Sequence, residues 1–289
     1  MSFEVVATRS GAPAVRDRAT GEVMHPGGGP MVEASELYIL PSRLEARLRA
    51  TGEAGSPASV LVLLDVGLGA ASNAIAAWGL SESLPGSARR LEIVSFDNTL
   101  EPLELALRPE HADSFGLTAR TGDATAADAR AAATTLLREG RHETPRTTWR
   151  LGLGDFRDRL AIEPAASADV VFWDFFSPRA HPHLWTVGAF RDLRRVCRAG
   201  ATVHTYSTAT AFRAAMLLAG FAVGVGGKSG DRVETTIAAT ELADLAEPLG
   251  ERWLARLERS SAPFPDDVPD DKMARADALS RVRACPQFT

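Results

Sequence analysis

The stretch SVLVLLDV at residues 59–66, followed by Gly67 and Gly69, decides the fold. The run is nearly all apolar and has the length of a strand, which is typical of a parallel strand buried on both faces. The two glycines indicate a tight turn, and the sequence AASNAIAAWGL after them is typical of a helix. We therefore predict a strand, a glycine turn and a helix, which together form the first unit of an open α/β sheet.

The same alternation continues along the chain. Further apolar runs of strand length lie at residues 91–96, 149–153, 168–173 and 201–206. Helical patterns lie at residues 100–107, 185–198 and 209–218, with a helix and a loop within 124–148 and a stop signal at Gly200. Alternating strands and helices predict a doubly wound, mostly parallel sheet with both faces covered.

The last two predicted strands, 221–225 and about 233–239, have no helix between them. Strands joined directly pair as an antiparallel hairpin, which we place at one edge of the sheet. This hairpin distinguishes the seven-stranded sheet of class I methyltransferases from an ordinary dinucleotide-binding sheet. We therefore predict a Rossmann-like α/β fold with seven strands.

Three parts of the chain are expected. Residues 1–50 are predicted to form a small N-terminal appendage, because the β-like runs EVVAT, PAVRD and GEVMH precede a helical pattern that is interrupted at Pro41. Residues 51–240 are expected to form the methyltransferase domain. Residues 241–289 are expected to form a C-terminal helical extension, which starts with a helical stretch at 241–260.

Composition excludes several classes of protein. Of the 289 residues, 45% are hydrophobic and 24% are charged, which argues against a disordered or collagen-like chain. The net charge of −5 gives no support for nucleic-acid binding by the molecule as a whole. No apolar run reaches 18 residues, so we expect no membrane span. Cys197 and Cys285 have no metal-site spacing, and we expect a reducing, cytoplasmic compartment.

The residues just after each predicted strand indicate a ligand site, because ligands of open α/β sheets bind at the carboxyl ends of the strands. Gly67 and Gly69 would let backbone N–H groups approach a ligand, although a purely structural turn also explains them. Asp97 is expected to bind ribose hydroxyls and Asp155 the adenine amino group, with Asp65 just before the glycines. NAD remains an alternative, but these acids suit an adenosine cofactor without phosphates, which is S-adenosylmethionine.

A motif at the fourth main strand is the most specific in the chain. It is Asp174-x-Phe176-x-Pro178, with Phe175 and Ser177 in the variable places, followed by Pro182 and Trp185. These residues resemble the MnmC-type methyltransferases, which act on the aminomethyl group of wobble uridine in tRNA. His181 stands where that family has asparagine. The glycine loop is similar too, up to Asn73, but Ala71 replaces its third glycine.

The resemblance covers most of the chain, with 124–148 as an insertion, and implies a stand-alone form without the oxidase half. It implies methyl transfer from S-adenosylmethionine to a primary amine. For this reaction we expect Asp174 to orient the nitrogen lone pair and to take up the proton that is lost, or to pass it to water. It places the appendage over the site, so that His25 and Glu33 contact cofactor or substrate, and surface turn residues are the alternative. We count Glu33 and Asn73 among the cofactor-binding residues.

The substrate-binding residues are expected to be Phe175, Phe176, Pro178 and Lys228, with core packing as the alternative for the two phenylalanines. No metal is expected. The acceptor is expected to be tRNA, with a separate oxidase upstream, or else a small amine. An aminopropyltransferase of the spermidine-synthase type and a non-catalytic protein that binds S-adenosylmethionine are further alternatives.

Overall fold

The computed structural model describes residues 2–8, 10–25, 28–50, 60–117, 129–227 and 234–289. Within these ranges the chain forms a two-stranded sheet near the N-terminus and an eight-stranded sheet. None of the described helices is long and apolar enough to cross a membrane.

The small sheet pairs β1 (Phe3–Ala7) with β2 (Pro13–Asp17). The strands of the large sheet are β3 (Val60–Val66), β4 (Arg90–Asp97), β5 (Arg141–Glu143), β6 (Thr147–Leu153), β7 (Ala168–Trp173), β8 (Cys197–Thr205), β9 (Ala222–Val225) and β10 (Thr236–Ala239). The α-helices are α1 (Pro30–Glu33), α2 (Leu44–Arg49), α3 (Ser72–Glu82), α4 (Glu101–Ala106), α5 (Ala129–Glu139), α6 (Phe156–Ala161), α7 (Val187–Val196), α8 (Thr210–Leu218), α9 (Glu251–Glu258) and α10 (Lys272–Arg283).

The large sheet has the order β5-β6-β4-β3-β7-β8-β10-β9. Its strands are parallel from β6 through β8, and β10 pairs antiparallel with both β8 and β9. The predicted α/β fold and its terminal hairpin are therefore confirmed. The sheet has one strand more than the seven predicted, because the short β5 pairs antiparallel with β6 at the other edge.

Two apolar cores cover the two faces of the sheet. Along β3, Leu61 and Leu63 belong to one core, and Val62, Leu64 and Val66 belong to the other. Successive side chains of a strand point to opposite faces, so a strand buried on both sides needs an almost continuous apolar run. The covered faces leave the carboxyl ends of the parallel strands as the place where a ligand can bind.

Other local predictions need correction. The helix before Gly200 ends at Val196, and β8 begins at Cys197 and runs through Gly200, which has φ +76°. The third β-like run of the N-terminal segment makes only an isolated bridge, between Val23 and Arg16. The helical pattern at 241–260 contains a short 3₁₀ turn and α9.

The flanking segments pack against the main sheet. The helical stretch before β3 consists of α1, a π-helical segment at Ala34–Ile39 and α2, with the predicted break around Pro41. At the other end, Asp267 accepts hydrogen bonds from the first two N–H groups of α7. The Gln287 side chain bonds the backbone N–H and C=O of Val223 in β9, at 2.8 and 3.0 Å.

Candidate active site

A glycine loop follows β3 and lies against the residues that follow β7. The N–H groups of Gly67 and Leu68 both donate to the Phe96 carbonyl at 3.0 Å, which ties the loop to β4. Gly67 has φ +95°, and a Cβ there would lie 2.8 Å from the Asp174 backbone oxygen. Glycine is therefore required at this position, both for its φ and for the close approach. Ala71, which replaces the third glycine, also adopts the left-handed region at φ +65°.

Two of the predicted cofactor-binding acids are held at the strand ends. Asp97 ends β4, and its carboxylate accepts the N–H groups of Gly69 at 2.9 Å and Asn98 at 2.8 Å. Burial raises the pKa of Asp97, against the lowering effect of these backbone hydrogen bonds. Asp155 caps α6 by accepting the N–H groups of Arg157 and Asp158 through Oδ1. Both acids are thus fixed in place at the edge where a ligand would bind.

Asp65 lies beneath the glycine loop and does not line the cavity described below. It is fully buried, and its Oδ2 accepts the Ser95 hydroxyl at 2.7 Å, while Ser95 accepts the indole N–H of Trp149. Burial raises the pKa of Asp65 to about 7. Its position indicates a support for the strand end, whereas direct cofactor contact stays a prediction.

Asp174 follows β7, and two side chains from distant segments fix its carboxylate. Tyr38 donates to Oδ1 at 2.6 Å, and the amide of Asn73 donates to Oδ2 at 2.7 Å. Burial raises the pKa of Asp174, while His25 and the two hydrogen bonds lower it. Asn73 does not line the cavity, and its contact in the structure is with Asp174, whereas direct cofactor contact stays a prediction.

The N-terminal appendage closes over this carboxylate, as the resemblance implied. The Nε2 of His25 lies 3.7 Å from Asp174 Oδ2, and its Nδ1 lies 3.7 Å from Glu33 Oε2. Further out, Glu22 accepts the Ser177 N–H at 2.9 Å and also the Ser177 hydroxyl. The appendage is therefore attached to the 174–178 loop at two points.

The aromatic residues of the 174–178 loop differ in their surroundings. Phe175 packs edge-on against Phe156 and Trp173, each at 5.5 Å between ring centroids. Phe176 stacks on Phe3, with centroids 6.5 Å apart and planes at 9°, and also contacts His181. Both phenylalanines are half-buried and line the cavity.

These residues surround one cavity of about 550 Å³ at the carboxyl ends of the parallel strands. The predicted site residues that line it are Gly67, Gly69, Phe175, Phe176, Glu33, Asp97, Asp155 and Asp174. Its lining carries seven carboxylates, from Asp17, Glu22, Glu33, Asp97, Glu101, Asp155 and Asp174. No Lys or Arg lines it within the described ranges. Pro178 does not line it, and Lys228 lies outside the described residues.

The cavity suits S-adenosylmethionine, whose sulfonium, ammonium and carboxylate groups give it a net positive charge. Gly67 and Gly69 line the cavity. Their N–H groups donate to the Phe96 carbonyl and to Asp97, so direct donation from this loop to a cofactor stays a prediction. Asp97 would hold the ribose from beside this loop, and the acidic lining favours a cationic ligand. Among the described residues, no group of three or more His, Cys, Asp or Glu side chains is arranged to hold a metal ion.

Sequence analysis did not identify three residues that shape the site. Tyr38 fixes Asp174, Glu22 holds Ser177, and the Tyr206 hydroxyl donates to the Phe175 carbonyl at 2.9 Å. Tyr38 lies in an apolar helical pattern and Glu22 in a short β-like run, so neither carries a local signal. The one available hint was that both lie within the segment that the resemblance places over the site.

Comparison with known proteins supports the methyltransferase class. A family model described as an S-adenosyl-L-methionine-dependent methyltransferase matches residues 127–241. The tRNA 5-methylaminomethyl-2-thiouridine biosynthesis bifunctional protein MnmC of Methylibium petroleiphilum is 28% identical over 81% of this chain and 34% of its own length. The protein of the same name from Burkholderia vietnamiensis is 30% identical over 70% of this chain and 30% of its own length. The chain thus spans about a third of these relatives.

Solved structures show the same fold. The crystal structure of MnmC2 from Aquifex aeolicus superposes with a TM-score of 0.69, covering 97% of this chain and 85% of the other, at 24% identity. Spermidine synthase from Thermotoga maritima gives a TM-score of 0.50 at 10% identity, covering 96% of this chain and 80% of the other. The predicted methyltransferase class and cofactor are confirmed. The chain belongs to the MnmC-type family of S-adenosyl-L-methionine-dependent methyltransferases.

Proposed function

We propose that this chain methylates the primary amine of the aminomethyl group on wobble uridine in tRNA. The names of its MnmC relatives support this acceptor. The observation that carries the proposal is the Asp174 carboxylate, held by Tyr38 and Asn73 beside the glycine loop, in a cavity whose charged lining is acidic. Such a cavity attracts a cationic amine and repels phosphate.

The chemistry requires a neutral amine held in line with the methyl group. When bound, S-adenosylmethionine supplies a methyl group on a positively charged sulfur, which leaves as a neutral thioether. An alkylamine with a pKa of about 10 is neutral only about one part in a thousand at pH 7, a penalty of roughly 4 kcal/mol. The site must therefore bind the ammonium ion, orient its nitrogen and remove one proton.

We assign Asp174 the task of orienting the nitrogen. A carboxylate beside an ammonium ion raises the pKa of that ion, so its charge alone does not help deprotonation. Its two fixed oxygens instead give the nitrogen a defined position. Gly67, Gly69, Asp97 and Asp155 would hold the cofactor in this proposal.

The aromatic side of the cavity would receive the base. Phe176, which stacks on Phe3, is assigned to stacking on the uracil ring.

With a tRNA acceptor, the reaction would take place in the cytoplasm. A separate oxidase would supply the free aminomethyl group, and we leave this partner as part of the proposal.

Nucleoside mass spectrometry tests the proposal directly. The purified chain and S-adenosylmethionine are incubated with tRNA from a strain that lacks this methylation, and the tRNA is digested to nucleosides. We expect the aminomethyl nucleoside to be replaced by its N-methyl form. A parallel reaction with decarboxylated S-adenosylmethionine and putrescine tests aminopropyl transfer. If the cofactor binds and the tRNA nucleosides do not change, the proposed acceptor is wrong.

The variant Asp174→Ala tests the assigned role. We expect methyl transfer to slow by about 10²-fold or more, because the amine loses its orienting group. Cofactor affinity, measured by calorimetry, is expected to stay within a few fold. A similar loss of both would mean that Asp174 only maintains the 174–178 loop.

A further inference from the structure

We propose that His25 is the base that takes the proton from the acceptor amine, and that Glu33 and Asp174 hold its imidazole between them. This inference rests on the proposed amine acceptor. It identifies the side chain that performs the proton transfer, which is separate from the orienting role of Asp174.

The geometry sets His25 between two carboxylates. Its Nδ1 and Nε2 each lie 3.7 Å from a carboxylate oxygen, of Glu33 on one side and Asp174 on the other. The three side chains are 12%, 4% and 13% exposed, and all three residues line the cavity. A separation of 3.7 Å is longer than a hydrogen bond, and a shift of about 1 Å or less would bring each pair within hydrogen-bond distance.

Asp174 is less suited to take the proton itself. Burial raises the pKa of Asp174, but both of its oxygens already accept hydrogen bonds, from Tyr38 and Asn73, and a proton on either oxygen would weaken these bonds. An imidazole has its ordinary pKa near neutrality, so it can take up and release one proton in each turnover. A carboxylate on either side stabilises the imidazolium that forms.

The other groups facing His25 fit this role. Asp65, at the end of β3, interacts with His25 electrostatically from beneath the glycine loop. Tyr38 reaches the cluster through its bond to Asp174. The backbone of His25 is in the left-handed region at φ +50°, which is uncommon for residues other than glycine. The fold therefore holds this imidazole in a backbone conformation that most residues avoid.

The proton transfer balances. The ammonium of the acceptor gives one proton to Nε2 of His25, which leaves a neutral amine and an imidazolium. The amine nitrogen then forms a bond to the methyl carbon while the carbon–sulfur bond breaks and its electron pair stays on sulfur. The products are a methylated ammonium, a neutral thioether and the imidazolium, which returns its proton to water through the cavity.

The first test is the pH profile of His25→Gln, with aminomethyl tRNA as acceptor. In the wild type we expect kcat/KM to fall at acidic pH, because the imidazolium cannot accept a proton. In His25→Gln we expect a loss of about 10²- to 10⁴-fold in kcat and the disappearance of the acidic limb. Cofactor affinity, measured by calorimetry, is expected to change only a few fold. The matched control is His111→Gln, outside the cavity, which should keep the wild-type profile.

A second measurement does not depend on activity. The ring ¹⁵N signals of His25, assigned through bonds from its backbone signals, are titrated in the wild type and in Glu33→Gln. We expect the midpoint of the His25 titration to move to lower pH by about one unit or more in Glu33→Gln, because one flanking charge is removed. This measurement decides the matter if His25→Gln is inactive or unfolded.

The outcomes separate the two proposals. A wild-type enzyme that leaves aminomethyl tRNA unmethylated would overturn the proposed function. An active wild type together with a His25→Gln profile of unchanged shape would overturn the role of His25 alone. An unchanged His25 titration midpoint in Glu33→Gln would also overturn it, because Glu33 would then not hold the imidazole.

Discussion

Replacing Gly67 with alanine should damage both folding and cofactor binding. The residue has φ +95°, which L-residues rarely adopt. A Cβ at this position would lie 2.8 Å from the backbone oxygen of Asp174, 2.9 Å from its carbonyl carbon and 3.0 Å from the N of Phe175. These atoms are backbone atoms, and the Asp174 N–H is bonded to the Val66 carbonyl at 2.8 Å. The clash cannot be relieved by rotating a side chain.

The size of the effect follows from two contributions. Forcing an alanine into the left-handed region costs about 1–2 kcal/mol. Overpacking against fixed atoms typically costs a further 1–3 kcal/mol. We therefore expect the free energy of unfolding to fall by about 3 kcal/mol, which for a chain of this length lowers the melting temperature by about 5 °C. The glycine loop and the 174–178 loop would also move apart, so the affinity for S-adenosylmethionine should fall at least about tenfold.

Urea denaturation and calorimetry with S-adenosylmethionine measure the two effects. The matched control is Gly79→Ala in α3, where a Cβ meets nothing within 4 Å. Alanine favours a helix by about 1 kcal/mol over glycine, so this variant should be as stable as the wild type or more stable. If Gly67→Ala behaved like Gly79→Ala in both assays, the assigned contact between the two loops would be wrong.

Three further variants test other parts of the structure. Tyr38→Phe removes the hydroxyl that donates to Asp174, so we expect about 1.5–3 kcal/mol less stability in urea and slower methyl transfer, with little change in cofactor affinity. Asp65 has a folded pKa of about 7 against 3.8 ordinarily, so the folded state binds more protons between these values and stability falls as pH rises from about 4 to 7. Asp65→Asn lacks this pH-dependent loss. The free energy of unfolding of Asp65→Asn minus that of the wild type should therefore increase from about pH 4 to pH 7, by roughly 4 kcal/mol at most. Asp267→Ala removes the acceptor at the start of α7 and should cost about 1 kcal/mol in urea.

For each of these variants, one outcome would contradict the prediction. Unchanged turnover in Tyr38→Phe would mean that the Asp174 carboxylate is held well enough by Asn73. A constant stability difference between Asp65→Asn and the wild type from pH 4 to 8 would mean that Asp65 stays ionised in the folded protein. Wild-type stability in Asp267→Ala would mean that water replaces the lost acceptor.

The sheet was predictable from the sequence because burial on both faces requires an almost continuous apolar run in each strand. A strand such as β3 must be apolar at nearly every position, and the first four of the five runs predicted before the hairpin are followed by a glycine or an acid. The edge strand β5 has no such apolar run. Its residues Arg141–Glu143 are polar and mostly exposed, so local sequence does not distinguish them from a loop.

The candidate site was predictable only in part, for a related reason. Asp97, Asp155 and Asp174 follow strands, and the topology alone brings strand ends together. The partners of Asp174 come instead from three separate segments, at His25, Tyr38 and Asn73. Which side chains meet across such distances depends on packing, and periodicity within one segment does not encode it.

The N-terminal appendage is part of the site, because its residues line the cavity. Without the segment from Glu22 to Glu33, the cavity would lose three of its acidic or basic side chains and its attachment to Ser177. The strand ends supply the groups that would hold the cofactor, whereas this segment supplies the groups around the proposed acceptor nitrogen. Because no Lys or Arg of the described ranges lines the cavity, a nucleic acid would enter only with its base, and its phosphates would be held outside. Selection of the acceptor would then depend on the appendage more than on the methyltransferase sheet itself.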